Sequence, residues 1–187
     1  EVMARLIDRH GPYTPRRDPH PDVFASLARA IIYQQLAGKA AATIHGRFEA
    51  LVDGLPTADK VLSLPVERLR SAGLSGAKQA AVRALAHHVT QGELELQSLD
   101  IMDDDELTRS VCRVRGIGPW TAQMFLIFQL GRLDVWPTGD LGVRKGYARA
   151  FGTDMPDAKS LAPLGDPFRP YRSMVAWYCW RATDAGP

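Results

Sequence analysis

The sequence has little of what marks secreted, metal-binding or membrane proteins. Its two cysteines among 187 residues, Cys112 and Cys179, lie far apart and show no metal-ligand spacing. Isolated thiols of this kind are typical of a reducing compartment. No apolar run approaches the roughly 20 residues of a transmembrane helix, and no basic, apolar leader opens the chain. We therefore expect a cytoplasmic protein that does not associate with membranes.

The net charge of +2 is also too small to establish a nucleic-acid partner, but the charge is unevenly distributed. Between Leu107 and Ala150 there are only two acids, Asp134 and Asp140. The same stretch holds seven basic residues: Arg109, Arg113, Arg115, Arg132, Arg144, Lys145 and Arg149. A local excess of this sign is what a phosphate-facing surface requires, and a solvated basic face is the alternative.

Helical periodicity is the main structural signal. Asp22 is a candidate N-cap, and apolar residues follow it at helical spacing from Phe24 to Ile31. The pattern pauses at "QQLAG" (residues 34–38) and then resumes. No stretch shows the period-two alternation of a half-buried strand. We predict an all-α fold of roughly ten short helices, forming one domain over residues 1–187 without a long linker.

The segment "RVRGIGPWTAQM" (residues 113–124) places two glycines and a proline within four positions, directly before an apolar helix. Residues 113–115 are expected to close the preceding helix. Glycine permits positive φ and close backbone approach, and a helix start offers unpaired N–H groups to an anion. The turn therefore predicts phosphate contacts at Gly116, Ile117 and Gly118, with a plain turn between packed helices as the alternative. On the first interpretation, Gly116→Val weakens DNA binding and leaves the fold largely intact.

The longer stretch "VRGIGPWTAQMFLIFQLGRLDVWPTGDLGVRKGYARAFG" resembles the helix-hairpin-helix DNA glycosylase superfamily, in which such a hairpin is joined to a Gly/Pro-rich loop ending in a catalytic aspartate. The segments "ARAIIYQQLAGKAA", "GLSGAKQAAVRALA" and "FRPYRSMVAWYCWR" are similar to its alkylation-repair branch, 3-methyladenine DNA glycosylase II. The similarity spans about residues 20 to 181, in the expected order. It implies a two-lobed helix-hairpin-helix fold with a cleft between the lobes. A helical lobe would cover about residues 24–115, and the N-terminal segment plus about 116–187 would form the second lobe.

Two features of the family are missing from this sequence. Only about twenty residues precede the first core helix, so we expect a member without the N-terminal β-rich domain that some relatives carry. The cysteine cluster that carries an iron–sulfur centre in the endonuclease III branch is also absent. The resemblance therefore implies a minimal, metal-free member without a cofactor. It leaves open whether backbone carbonyls of the hairpin hold a monovalent cation.

The resemblance assigns the catalytic carboxylate to Asp140, and a purely structural N-cap is the alternative. At a helix N-terminus the dipole favours an ionised carboxylate, which can stabilise an oxocarbenium-like sugar and assist an attacking water. Trp120 occupies the position at which bifunctional relatives carry a lysine nucleophile, so a monofunctional enzyme is expected. The predicted base pocket consists of Trp120, Met124 and Trp180. An aromatic face there would attract a cationic alkylpurine.

Residues that contact the DNA itself are also implied by the resemblance. Gln35, with Leu36 beside it, aligns with the wedge that fills the gap left by a flipped base. The alternative is a capped turn in which Leu36 is buried. Further phosphate contacts are expected at Lys39, Lys78 and Arg144.

The sequence as a whole therefore predicts a monomeric, monofunctional DNA glycosylase, associated with the nucleoid if bacterial. It would flip and hydrolytically excise alkylated purines of the 3-methyladenine type from double-stranded DNA, leaving an abasic site. A non-catalytic helix-hairpin-helix DNA-binding module, or a glycosylase for a deaminated or etheno base, is the alternative. Asp134 and Trp177 are expected to be structural.

Overall fold

The computed structural model describes residues 1–14, 22–36 and 38–184. Within these ranges the chain forms helices and turns and no β-strand, which confirms the predicted all-α fold. Residues 15–21, part of the N-terminal segment of the predicted second lobe, lie outside the described residues. The α-helices are α1 (Val2–His10), α2 (Val23–Tyr33), α3 (Gly38–Leu51), α4 (Ala58–Ser63), α5 (Val66–Ser71), α6 (Gly76–Thr90), α7 (Asp104–Val111), α8 (Pro119–Phe128), α9 (Leu141–Phe151), α10 (Ala158–Leu164) and α11 (Arg172–Asp184).

The chain divides into two compact units. Unit 1 comprises residues 1–17 and 126–187, and unit 2 comprises residues 18–125. The division falls inside α8, so the glycine-rich turn before that helix belongs to unit 2. The sequence-based division, with a helical lobe over about residues 24–115 and a second lobe from the N-terminal segment plus about 116–187, stays a prediction.

In unit 2, short polar side chains begin the helices and apolar side chains hold them together. The Asp22 carboxylate accepts a hydrogen bond from the Ala25 N–H at 2.8 Å, as expected of an N-cap. Helix α6 packs against α2, α4 and α5. The fully buried side chains of this unit include Leu27, Ile31, Ile32, Phe48, Leu69, Leu85, Leu99 and Leu107. Burying each of them contributes about 1.5–3 kcal/mol, which compensates for the low helix propensity of such short elements.

In unit 1, helices α9 and α11 form the central pair. Their shared core contains Trp136, Val143, Tyr147, Leu161, Val175, Ala176 and Cys179. A side chain on Gly146 would overlap the carbonyl group of Cys179, so this glycine allows the two backbones to approach closely. The consequence is that the start of α9 lies beside the C-terminal half of α11.

Helix α1 was missed in the sequence analysis. It packs against α11 and α9 through Leu6, which joins a buried cluster with Trp177, Tyr178 and Ala182. Trp177 is only 7% exposed, which confirms its predicted structural role. The amphipathic pattern of "VMARLIDRH" was the available signal, since its apolar positions recur at helical spacing.

Candidate functional site

Asp140 begins α9. Its backbone is extended and its Oδ1 accepts a hydrogen bond from the Val143 N–H at 2.8 Å, which is N-cap geometry. The helix ends at Phe151, and the following Gly152 caps it in the left-handed conformation. The predicted N-cap role of Asp140 is therefore confirmed, while its catalytic role stays a prediction at this point.

The loop that leads to Asp140 is anchored by the first residues of α11. The Ser173 hydroxyl donates to the Arg132 carbonyl at 2.7 Å and accepts from the Val135 N–H at 2.9 Å. The Asp134 carboxylate accepts from Arg172 Nε at 2.7 Å and from Arg169 Nη1 at 3.0 Å. The hydrogen bond from Arg172 is the largest influence that lowers the pKa of Asp134. Asp134 is structural, as predicted.

Trp180 lies against the Asp140 carboxylate. Its indole Nε1–H donates to Asp140 Oδ1 at 2.8 Å, and its ring stacks on Phe128 with a centroid distance of 5.6 Å and an interplanar angle of 29°. Burial raises the pKa of the neighbouring Cys179 thiol to about 12, and the negative charge of Asp140 adds to the rise. The structure thus brings together the predicted catalytic carboxylate and one of the predicted pocket residues.

The glycine-rich turn differs from the sequence-based expectation at its start. Helix α7 ends at Val111, so residues 113–115 belong to the turn rather than to the helix. Ile117 is buried at 4% exposure, and its N–H donates to the Val114 carbonyl at 3.0 Å. The Ile117 side chain therefore packs beneath the turn, and its N–H group is already hydrogen-bonded within the turn.

The two glycines of this turn have different surroundings. Gly116 has a φ of +89°, and any side chain there would overlap Ala81 of α6. The expectation that Gly116→Val leaves the fold largely intact is therefore wrong, because the substitution combines backbone strain with a steric overlap. At Gly118, by contrast, an added Cβ would meet no atom within 4 Å. Packing within the protein does not require glycine at that position.

Gly118→Ala is expected to weaken binding to abasic duplex DNA by about tenfold or more, because the added methyl group obstructs approach of a phosphate to the main chain. Loss of glycine at the start of α8 should lower the free energy of unfolding by no more than about 1 kcal/mol. Fluorescence titration and urea unfolding of the same preparations measure both quantities. Unchanged affinity in the folded variant would remove Gly118 from the DNA interface.

The predicted wedge lies in the turn between α2 and α3. Gln35 has a φ of +54°, a conformation that costs a residue with a side chain about 1–2 kcal/mol, and it is exposed. Leu36 is 37% exposed. This exposure contradicts the alternative of a turn with Leu36 buried. The turn thus presents an amide and an isobutyl group to solvent from a strained backbone, which is consistent with a wedge.

Gln34, beside the predicted wedge, was missed in the sequence analysis. Its Nε2 donates to the Gly116 carbonyl at 2.8 Å and to the Thr121 Oγ1 at 2.8 Å. Thr121 is buried at 2% exposure in the first turn of α8. The Gln34 side chain therefore ties the wedge turn to the glycine-rich turn within unit 2. The doubled glutamine in the sequence was the only signal, and it does not reveal a contact 82 residues away.

The other two predicted pocket residues, Trp120 and Met124, lie on α8 in unit 2. They are four residues apart, so they share one face of the helix, and both are half-buried. Trp120 occupies the first turn, two residues after Gly118. Their contribution to a base pocket stays a prediction.

The three predicted cationic phosphate contacts differ in their surroundings. Lys39 is exposed on the first turn of α3. Lys78 Nζ donates to the Ile32 carbonyl at 2.7 Å, and partial burial lowers the pKa of this lysine. Arg144 Nε donates to the Pro156 carbonyl at 2.8 Å. Lys78 and Arg144 therefore stabilise the fold, whereas only Lys39 of the three presents a largely solvated side chain.

Metal sites and membrane spans are both absent from residues 1–14, 22–36 and 38–184. No group of three or more His, Cys, Asp or Glu side chains is placed to hold a metal ion within these ranges. None of the helices described there has both the length and the apolar character needed to cross a bilayer.

Comparison with known proteins gives consistent matches. The family model described as "HhH-GPD superfamily base excision DNA repair protein" matches residues 28–165. DNA-3-methyladenine glycosylase 1 of Schizosaccharomyces pombe is 30% identical over 188 residues, an alignment that covers 98% of this chain and 82% of that protein. The solved structure of S. pombe 3-methyladenine DNA glycosylase in complex with abasic DNA superimposes with a TM-score of 0.91 at 29% identity, covering 100% of this chain and 93% of that one. A Bacillus halodurans DNA-3-methyladenine glycosidase gives a TM-score of 0.83 at 34% identity, with coverage of 97% and 84%.

Proposed function

Because the chain belongs to the HhH-GPD superfamily of base excision DNA repair proteins, we propose that it is a DNA glycosylase that removes alkylated purines from double-stranded DNA. One observation carries the proposal: a carboxylate, Asp140, is held at the N-terminus of α9 by the Val143 N–H and by the Trp180 indole. The relatives named as 3-methyladenine glycosylases support the substrate class.

The reaction requires little beyond a fixed negative charge. A purine alkylated on a ring nitrogen is cationic and leaves readily, so the enzyme must mainly stabilise the sugar cation that remains. The Asp140 carboxylate supplies this stabilisation and orients a water molecule toward the sugar. Cleavage of the glycosidic bond releases the free base, and addition of water leaves an abasic site.

Trp120 determines the fate of the DNA strand after base release. An indole cannot form a Schiff base with the sugar, so water is the nucleophile and the DNA strand stays intact. An aromatic face also attracts a cationic base by about 0.5–2 kcal/mol. This energy biases substrate selection and is too small to supply the catalysis.

The direct test measures base release from duplex DNA treated with a methylating agent. We expect free 3-methyladenine or another alkylated purine in the supernatant, and an intact strand that breaks only after alkali treatment. Borohydride should trap no covalent enzyme–DNA adduct. Binding of abasic DNA without any base release would instead identify a non-catalytic DNA-binding module, and release of hypoxanthine or etheno bases alone would change the substrate class.

The proposed enzyme acts as a monomer and needs no cofactor for hydrolysis. A monovalent cation at the hairpin would be held by main-chain carbonyls, and one of these, at Gly116, already accepts the hydrogen bond from Gln34. Base release that is unaffected by exhaustive treatment with a chelator of divalent metal ions supports a reaction without a divalent metal cofactor. Dependence on an added divalent metal ion would contradict it.

Gln35→Ala is expected to reduce excision from fully paired duplex DNA more than excision from single-stranded or mispaired DNA. The wedge stabilises the flipped state, and flipping costs a few kcal/mol only where a stack must be broken. Parallel single-turnover assays on the two kinds of DNA measure the ratio of the two losses in rate. Equal losses on both would show that Gln35 is not the wedge.

A further inference from the structure

The oxygen Oδ1 of Asp140 accepts hydrogen bonds from two different helices. The Val143 N–H of α9 donates at 2.8 Å, which is the ordinary contact of an N-cap. The Trp180 Nε1–H of α11 donates to the same oxygen at 2.8 Å, from a residue forty positions further along the chain. A helix cap needs only the first bond, so the second requires its own explanation.

Gly142 makes room for the indole. A Cβ at this position would lie 2.8 Å from Trp180 Cδ1, 3.2 Å from Trp180 Nε1 and 3.1 Å from Asp140 Oδ1. Gly142 is a helical residue outside the positive-φ region, so its backbone conformation is open to any amino acid. The space that its missing side chain leaves is occupied by the edge of the Trp180 ring.

Phe128 supports the Trp180 ring through an inclined stacking contact. The stack with Phe128 leaves the indole N–H edge directed at Asp140, and Trp180 is itself half-buried. Gly146, one turn along α9, allows α11 to come close enough for this contact. Three independent features therefore converge on one hydrogen bond: a stacked ring, a missing side chain and a close helix pair.

We propose that Trp180 is a positioning residue that holds the Asp140 carboxylate in its reactive orientation, and that Gly142 is the residue that admits it. This inference rests on the proposed function. A hydrogen bond to an ionised acceptor is about twice as strong as one between neutral groups, so the indole restrains the carboxylate against rotation before DNA binds. Misplacement of a reacting group by about 1 Å costs up to 10²-fold in rate.

The positioning role and the pocket role predict different kinetics. Removing a pocket wall weakens binding of the flipped base and raises the half-saturating enzyme concentration. Removing a positioning contact lowers the single-turnover rate constant at saturation and leaves the half-saturating concentration nearly unchanged. If Trp180 is a pocket wall, its loss should still weaken base binding when Asp140 is replaced. If Trp180 positions the Asp140 carboxylate, its loss should have no effect once that carboxylate is gone.

The experiment uses Trp180→Phe, which removes the N–H donor but keeps a ring for the stack, and Gly142→Ala, which keeps the tryptophan but displaces it. Excision from methylated duplex DNA is followed at saturating enzyme, and thermal melting checks the fold. Gly46→Ala adds the same methyl group on an exposed face of α3, where no atom lies within 4 Å, and is the matched control. We expect both test variants to lose roughly ten- to hundredfold in the single-turnover rate constant. Their half-saturating enzyme concentrations should stay within about threefold of the parent value. The control variant should match the parent in both quantities.

The same comparison is then made in the Asp140→Asn background. Trp180→Phe should change the small residual rate there by less than about twofold, because the carboxylate that it positions is already gone. A raised half-saturating concentration with an unchanged rate constant, or an equal loss in both backgrounds, would overturn the positioning role. A parent that releases no base from methylated DNA would overturn the proposed function instead, which is a distinguishable result.

Discussion

Asp140→Asn is expected to lower single-turnover base release by at least about 10²–10³, the usual cost of losing one electrostatic stabiliser at a reacting centre. Asparagine is as good an N-cap as aspartate, and its Oδ1 still accepts from Val143 and Trp180, so α9 should persist. What is lost is the negative charge facing the sugar cation. Affinity for abasic DNA should be retained or rise slightly, because a repulsion between the carboxylate and the phosphates disappears.

Asp134→Asn is the matched control for this loss of charge. Asp134 lies in the same loop, but its carboxylate accepts from Arg172 and Arg169. Its substitution should lower the free energy of unfolding and leave base release within about threefold of the parent. If Asp140→Asn also excises within about threefold of the parent, Asp140 is only a cap and the proposed mechanism fails.

Gly146→Ala is expected to have the largest effect on stability, a loss of about 1–3 kcal/mol or more in the free energy of unfolding. The new methyl group overlaps the Cys179 carbonyl, and backbone cannot move aside as a flexible side chain can. Helices α9 and α11 must therefore separate, which loosens the buried cluster around Val143 and Tyr147. Urea unfolding followed by circular dichroism measures the loss.

Gly46→Ala, also inside a helix, should change stability in the opposite direction. The position is exposed and open, so alanine gains about 0.5–1 kcal/mol from helix propensity without steric cost. Gly146→Ala should lower the free energy of unfolding and Gly46→Ala should raise it. This difference separates the effect of the α9–α11 contact from the general effect of replacing a helical glycine by alanine. A Gly146→Ala protein as stable as the parent would show that α9 and α11 are not in backbone contact at this point.

The sequence was sufficient for features determined by local rules. Helical periodicity, the cap at Asp22 and the start of α9 at Asp140 depend on residues within one or two turns of each other, and all three are present. The resemblance supplied the family because its motifs lie in unbroken segments. The short helix α1 was missed because nine residues with mixed polarity resemble an exposed segment unless their partner helix is known.

Features that depend on distant contacts could not be predicted. Nothing near Gly116 in the sequence indicates that Ala81 lies against it, so the effect of Gly116→Val was misjudged. Likewise, no local pattern shows that the Trp180 N–H reaches Asp140 or that Gly142 leaves room for it. Close approach of backbones and hydrogen bonds across a fold are properties of tertiary packing, which periodicity and propensity do not encode.

The hydrogen bonds of Gln34 fix the distance between the α2–α3 turn and the glycine-rich turn in the absence of DNA. The Gln34 amide joins the turn that carries Gln35 to both Gly116 and Thr121. The position of one turn relative to the other is therefore restrained within unit 2. A preorganised pair of turns loses little conformational entropy when it binds a partner. A duplex that contacts both turns, as proposed above, therefore meets two turns that the Gln34 side chain already links.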